Sequence, residues 1–126
     1  MKVFHGTSAD FTGTPDFRTD TMYGLSGCYL TENYEAATDY ATAENLTNGG
    51  DGGNARIFTA EIDLESAAVL HYDDIEDDEW DFLAEIVDER EIDFVILPDS
   101  WGHGTDEIVA VYNPALRWIG MELVAA

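Results

Sequence analysis

The stretch Gly24-Leu-Ser-Gly-Cys-Tyr-Leu-Thr-Glu-Asn-Tyr-Glu-Ala-Ala-Thr-Asp-Tyr-Ala41 decides how this chain folds. It reads as a glycine-bounded turn, a short strand over residues 28–31, and then an amphipathic helix. Gly24 and Gly27 permit backbone angles, or a close approach to the main chain, that a side chain forbids. Thr31 or Asn33 can cap the helix, and Glu32 and Glu35 suit its positive N-terminal end. Ala36, Ala37, Tyr40 and Ala41 recur at helical spacing, a thin face that lets the helix sit close to a sheet. Tyr29 on the strand and Tyr40 on the helix are then placed to flank one cleft. Two phenol rings across a gap suit a flat aromatic ligand, and two core tyrosines are the plainer alternative.

Outward from this stretch, the chain alternates short strands with helical segments. Residues 2–5 predict a first strand that delivers His5 to a Gly6-Thr7-Ser8 turn. Residues 9–26 predict a long polar loop with Phe11 and Phe17 as anchors and Arg18 as a rare cation, and long loops in small domains are often functional. The glycine-rich run from Asn45 to Asn54 predicts a mobile surface loop, because it lacks the strand-to-helix context and lysine of a phosphate-binding loop. Strands are expected over residues 55–63 and 67–71, and an amphipathic helix over 74–90 with Ile75, Phe82, Leu83, Ile86 and Val87 inward. A buried strand at 94–97 ends at Pro98; a loop carrying Trp101 and His103 follows, then strands at 107–112 and 116–124. No repeat or linker interrupts the pattern. It predicts one α+β domain over residues 1–126, rich in strands, with two main helices.

Composition narrows the function classes. The 126 residues suffice for one domain with a true core, and 45% apolar content excludes a disordered acidic tail. No stretch has the length of a membrane span and the N-terminus has no signal-peptide run, so the cytoplasm is the expected location and no membrane partner is expected. The single cysteine, Cys28, excludes an internal disulfide and a cysteine-based zinc cage. His71 and His103 lack ligand spacing to nearby acids, and no Gly-x-Ser-x-Gly elbow accompanies Ser8. Twenty-seven acids against five bases give a formal charge of −22, a field that repels nucleic-acid backbones and anionic membranes. Adaptation to high salt and docking on a basic protein partner both account for it; Lys2 is the only lysine and aspartate outnumbers glutamate.

Three motifs in order carry a family resemblance: His5-Gly6-Thr7-Ser8; Gly27-Cys-Tyr29-Leu-Thr31 leading to Ala37 and Tyr40-Ala41; and Asp106-Glu107-Ile-Val-Ala-Val-Tyr-Asn-Pro114. Together they resemble the ADP-ribosyltransferases, in the His–Tyr–Glu branch of diphtheria toxin and the poly-ADP-ribose polymerases. The compact phage and bacterial members are nearest in length. Arg56 to Leu64 and Val69 to Asp73 look like the middle strands of that family, so the resemblance touches most of the chain. It implies a split β-sheet core and transfer of ADP-ribose from NAD to a macromolecular acceptor, with a protein as the expected acceptor.

By position, the resemblance assigns His5 to the adenosine ribose and the Gly6 main chain to the nicotinamide amide, with Thr7 beside them. Tyr29 and Tyr40 would sandwich the nicotinamide ring, and Glu107 would bond the 2′-hydroxyl of the nicotinamide ribose. A carboxylate suits that place because cleavage gives an oxocarbenium-like sugar. With so few cations, Arg18 or Arg56 is a candidate for the NAD diphosphate. Glu107 stands one residue further from Pro114 than the family pattern places its glutamate, which keeps Asp106 open as the catalytic acid. Thr105 occupies the place where arginine-modifying members carry Glu or Gln, so the resemblance argues against arginine as acceptor. Plain NAD hydrolysis, and a non-catalytic acidic inhibitor on the same fold, are the competing readings.

Overall fold

The computed structural model describes residues 1–7, 25, 27–47, 55–99, 104–111 and 116–123, with no side-chain description for 43–47. Among these residues, seven strands and two α-helices follow in order: β1 (Lys2–Thr7), β2 (Cys28–Leu30), α1 (Tyr34–Thr47), β3 (Arg56–Ile62), β4 (Val69–His71), α2 (Leu83–Glu89), β5 (Phe94–Leu97), β6 (Glu107–Ala110) and β7 (Leu116–Leu123). The strands form a three-stranded sheet, β1-β3-β7, and a four-stranded sheet, β2-β6-β5-β4. The fold is α+β.

Alternation along each strand explains the layering. Val3, Ala60, Ile62 and Leu116 of the first sheet meet Cys28, Leu30, Phe94, Ile108 and Ala110 of the second, forming a core between the sheets. The opposite face of the second sheet, with Leu70, Val95, Leu97 and Val109, is covered by Ile75, Leu83 and Val87. The opposite face of the first sheet is covered by α1. A main-chain bridge joins the sheets: Phe4 N–H donates to the Thr31 carbonyl (2.7 Å) and Thr31 N–H donates back to the Phe4 carbonyl (2.9 Å).

Two expectations are corrected. The glycine after His5 does not turn: β1 runs through Gly6 and Thr7, which lie opposite Ile57 and Arg56. Residues 74–90 are not one helix. Short 3-10 turns occupy Tyr72–Asp74 and Trp80–Phe82, α-helix occupies only Leu83–Glu89, and Phe82 is 57% exposed. The acids between Glu76 and Asp81 explain this. Like charges three and four apart repel on a helix, and Glu79 Oε1 accepts the Glu76 N–H at 2.9 Å, a local bond that competes with helical pairing.

Candidate active site

The centre of the molecule is the place where the two sheets part. Beyond the Phe4–Thr31 pair, β1 continues for three residues with no further bridge to β2 among the described residues. Main-chain groups alternate in direction along an antiparallel strand. Since Phe4 turns its N–H and C=O toward β2, His5 turns to β3, and Gly6 turns again toward the β2 side. The Gly6 amide and carbonyl therefore face the opening between the strands.

Glycine is required there by α1. A Cβ at Gly6 would overlap the Ala37 carbonyl oxygen and come within 3.2 Å of the Ala41 nitrogen. Ala37 and Ala41 are buried, so the helix backbone rests directly on the strand. Tyr40, half-buried, directly precedes Ala41 on the helix turn that makes this contact. Asn33 fixes where the helix begins: its Oδ1 accepts the Ala36 N–H at 3.1 Å, the capping role the sequence offered to Thr31 or Asn33. Tyr34 anchors the first turn, edge-on to Phe4 at 5.3 Å, and its phenol is hydrogen-bonded to Glu122 of β7, which raises its pKa above the ordinary value.

The other expected residues that are described fall on two faces. His5 Nδ1 donates to the Tyr29 carbonyl at 2.6 Å, which fixes the ring against β2, with Cys28 Sγ at 3.5 Å. Tyr29 lies opposite Val109, and Glu107 stands two residues before Val109 on β6, so Tyr29 and Glu107 share one face of the second sheet. Through the Phe4–Thr31 pair that face is continuous with the Gly6 face of β1. Gly6, Tyr29 and Glu107 thus lie on one surface, while His5 lies on the other side of β1. Thr7 is buried, at the end of the His5 face. Arg18, Trp101, His103 and the glycine-rich run over 48–54 lie outside the described residues.

Three further residues belong to this neighbourhood. Thr31 Oγ1 lies 3.5 Å from Thr105 Oγ1 and accepts the Asn33 N–H at 3.1 Å, tying the approach to Glu107 to the start of α1. Thr105 carried no sequence signal for this, because the contact spans 74 positions. Trp118 stands edge-on to His5 at 6.4 Å, and its Nε1 is buried with no acceptor among the described residues. Asp106 acts on Tyr72: its charge is the main cause holding the phenol pKa above 10, ahead of desolvation and Asp73. His71 is engaged elsewhere, its Nδ1 accepting the Asp73 N–H at 3.1 Å. No group of three or more His, Cys, Asp or Glu side chains among the described residues could hold a metal ion. No described helix is long and apolar enough to cross a membrane. Compared with known proteins, the chain matches no family model, and no curated protein gives a significant match.

Proposed function

We propose that the protein is an NAD-dependent mono-ADP-ribosyltransferase on a split-sheet fold of the ADP-ribosyltransferase type, with a macromolecular acceptor, most simply a protein. The observation that carries this reading is the Gly6 edge: a main-chain donor and acceptor turn toward the β2 side, on the surface that Gly6 shares with Tyr29 and Glu107, and the α1 turn of Ala37 and Ala41 rests on Gly6. A carboxamide needs one acceptor and one donor side by side, and a strand edge supplies both.

In this reading Gly6 N–H donates to the nicotinamide amide oxygen and the Gly6 carbonyl accepts its N–H. Tyr29 and Tyr40 hold the ring from either side, and His5 holds the adenosine ribose. The bond from C1′ to the ring nitrogen breaks with its electron pair going to nicotinamide, which leaves neutral. Glu107 accepts the 2′-hydroxyl hydrogen bond and stabilises the positive charge that develops on the sugar. The acceptor nucleophile then bonds to C1′ and loses its proton.

NAD labelled in its adenosine half, incubated in lysate with wild type and Glu107→Gln while nicotinamide release is followed, tests this. Label on a discrete band together with nicotinamide release, both reduced about 10²–10³-fold in Glu107→Gln, is the expected outcome. Retention of activity in that variant with loss in Asp106→Asn would move the acid to Asp106. Release without labelling would make the enzyme an NAD glycohydrolase. The net charge of −22 favours one second reading, a non-catalytic acidic protein that occupies a basic partner. It requires no NAD binding, and an interaction that survives Glu107→Gln and weakens steeply with salt.

A further inference from the structure

Edge strands present main-chain groups that another strand can pair, and most proteins shorten or charge them for that reason. Among the described residues β7 is an edge of the first sheet. It runs for eight residues and leaves Ile119, Met121 and Leu123 between 44% and 68% exposed. The strands of this sheet also escape the acidity of the chain. Together β1, β3 and β7 hold Lys2, Arg56, Glu61, Arg117 and Glu122, three bases against two acids, whereas the whole chain has five against 27. A second copy that approaches along β7 therefore meets little charge on the strands themselves.

Which β7 groups face outward follows from the pairing. Phe4 turns its N–H and C=O toward β2, so Val3, His5 and Thr7 turn to β3, where they meet Ala60, Phe58 and Arg56. Ile62 keeps the alternation, its N–H donating to the Met1 carbonyl at 3.0 Å. Ile57, Thr59 and Glu61 therefore turn the other way, toward Glu122, Gly120 and Arg117 of β7. That leaves Leu116, Trp118, Met121 and Leu123 with their main-chain groups directed away from β3. The set changes from even to odd numbers because the register shifts between Thr59 and Ala60, where Ile119 is an extra residue.

This outward set is symmetric about the point between Ile119 and Gly120. With a second β7 laid antiparallel about that point, Leu116 meets Leu123 of the partner subunit and Trp118 meets the partner's Met121. Outward groups then meet outward groups along the whole strand, and apolar side chains meet apolar ones. Without the extra residue the two edges would be one position out of step. Arg117 meets the partner's Glu122 at a non-hydrogen-bonded position, where side chains stand closest. Both residues are exposed, and both lie on the α1 side of the sheet, opposite Glu61 and Ile57. Arg117 bonds Glu61 at 2.9 Å, and its five-donor fork has capacity for a second carboxylate.

We propose that the protein forms a two-fold dimer by antiparallel pairing of β7 with β7 of a second copy, centred between Ile119 and Gly120. The two first sheets become one continuous sheet, and the contact is isologous, each Arg117 facing the other copy's Glu122. The partner's Met121 packs beside Trp118, the ring that stands edge-on to His5. Pairing of this kind requires nothing of the NAD reading above.

Sedimentation over a range of protein concentrations, in about 0.15 M salt to screen the net charge, tests this. Wild type should form a dimer that dissociates on dilution. Arg117→Glu and Glu122→Arg each set like charges opposite one another at two places across the axis, and each should weaken dimerisation about tenfold or more. Mixed in equal amounts, the two variants regain opposite charges at both places and should form a heterodimer of nearly wild-type affinity. Hydrogen exchange on wild type needs no substitution: the Trp118 and Met121 amides point outward and should gain protection as concentration rises. Wild type that stays monomeric up to about 1 mM overturns the proposal. So does a dimer that persists in both variants, or one that forms without protecting those two amides. Folded variants that are monomeric alone and stay monomeric when mixed overturn the register.

Discussion

Each sheet is covered on its outer side by a helical segment, and the two covers are built in opposite ways. On the first sheet, α1 starts at a capped Asn33 and rests its Ala37–Ala41 backbone directly on Gly6. On the second, residues 72–92 form a broken series of turns whose contact is made by the side chains of Ile75, Leu83 and Val87. Side-chain contacts can relax by rotamer changes, whereas backbone against backbone fixes distance to a few tenths of an ångström. The candidate site borders the first kind of cover. Tyr40 rides on the turn that Gly6 holds, and Thr31 links that helix start to Thr105 beside Glu107. The acidic charge, by contrast, is concentrated on the second cover, where most of the acids are exposed.

Gly6→Ala puts this contrast under the greatest load. Its methyl group would meet the Ala37 carbonyl, a main-chain atom that cannot swing aside, so the helix must lift or the strand must shift. We expect a loss of about 3 kcal/mol, at the upper end of overpacking effects, in urea denaturation, together with loss of nicotinamide binding. Gly27 offers a control away from α1: a Cβ there would lie 2.6 Å from Val109 Cγ1 and 2.8 Å from the Ala110 carbonyl oxygen. Gly27→Ala should destabilise comparably. If Gly6→Ala is as stable as wild type, α1 is not held by backbone contact and the contrast fails.

A smaller effect is expected at the helix start. Asn33→Ala removes the acceptor of the Ala36 N–H and should cost about 1 kcal/mol in the same denaturation assay. Asn33→Asp keeps an acceptor and adds favourable charge at the N-terminal end, so it should restore stability. At the end of α2 the prediction reverses sign. Glu91 sits at φ 53°, in the left-handed region, and the bonds from Glu91 N–H to Asp88 and from Ile92 N–H to Val87 close the helix around it. Glu91→Gly should therefore stabilise by about 0.5–1 kcal/mol, while Glu91→Ala should not. Equal effects of the two substitutions would show that charge, not backbone conformation, governs this position.

These differences also explain what could be read from residues alone. Strand positions were legible wherever apolar residues alternate, as in Arg56–Ile62 and Phe94–Leu97, because burial on one or both faces leaves a local pattern. The fitting of small α1 residues to a sheet was legible for the same reason. Gly6 was misread as a turn because a glycine required by close helix approach looks identical to one required by a positive φ. The length of the helix after Asp74 was misread because apolar spacing does not register repulsion among Glu76, Asp77, Asp78 and Glu79. Sheet order, the Thr31–Thr105 contact and the position of Trp118 beside His5 join residues far apart in the chain, and no local period encodes them.

The smallest effect concerns the second cover and the acid beside Glu107. Tyr72 lies on a 3-10 turn stacked on His71 at 4.3 Å, and its phenol is held above the ordinary value chiefly by the charge of Asp106. A pKa raised in the folded state means that folding favours the protonated phenol. The associated stability is complete below the unfolded value near 10 and is lost as pH rises through the folded pKa. Asp106→Asn removes the main cause, so the ultraviolet titration of the phenolate should move to lower pH, with little change in thermal stability below about pH 9. Glu107→Gln should leave that titration in place while lowering NAD turnover about 10²–10³-fold. A shift produced equally by both substitutions would mean that the two acids share one environment. The second cover, through Tyr72, would then be coupled to Glu107 as well as to Asp106.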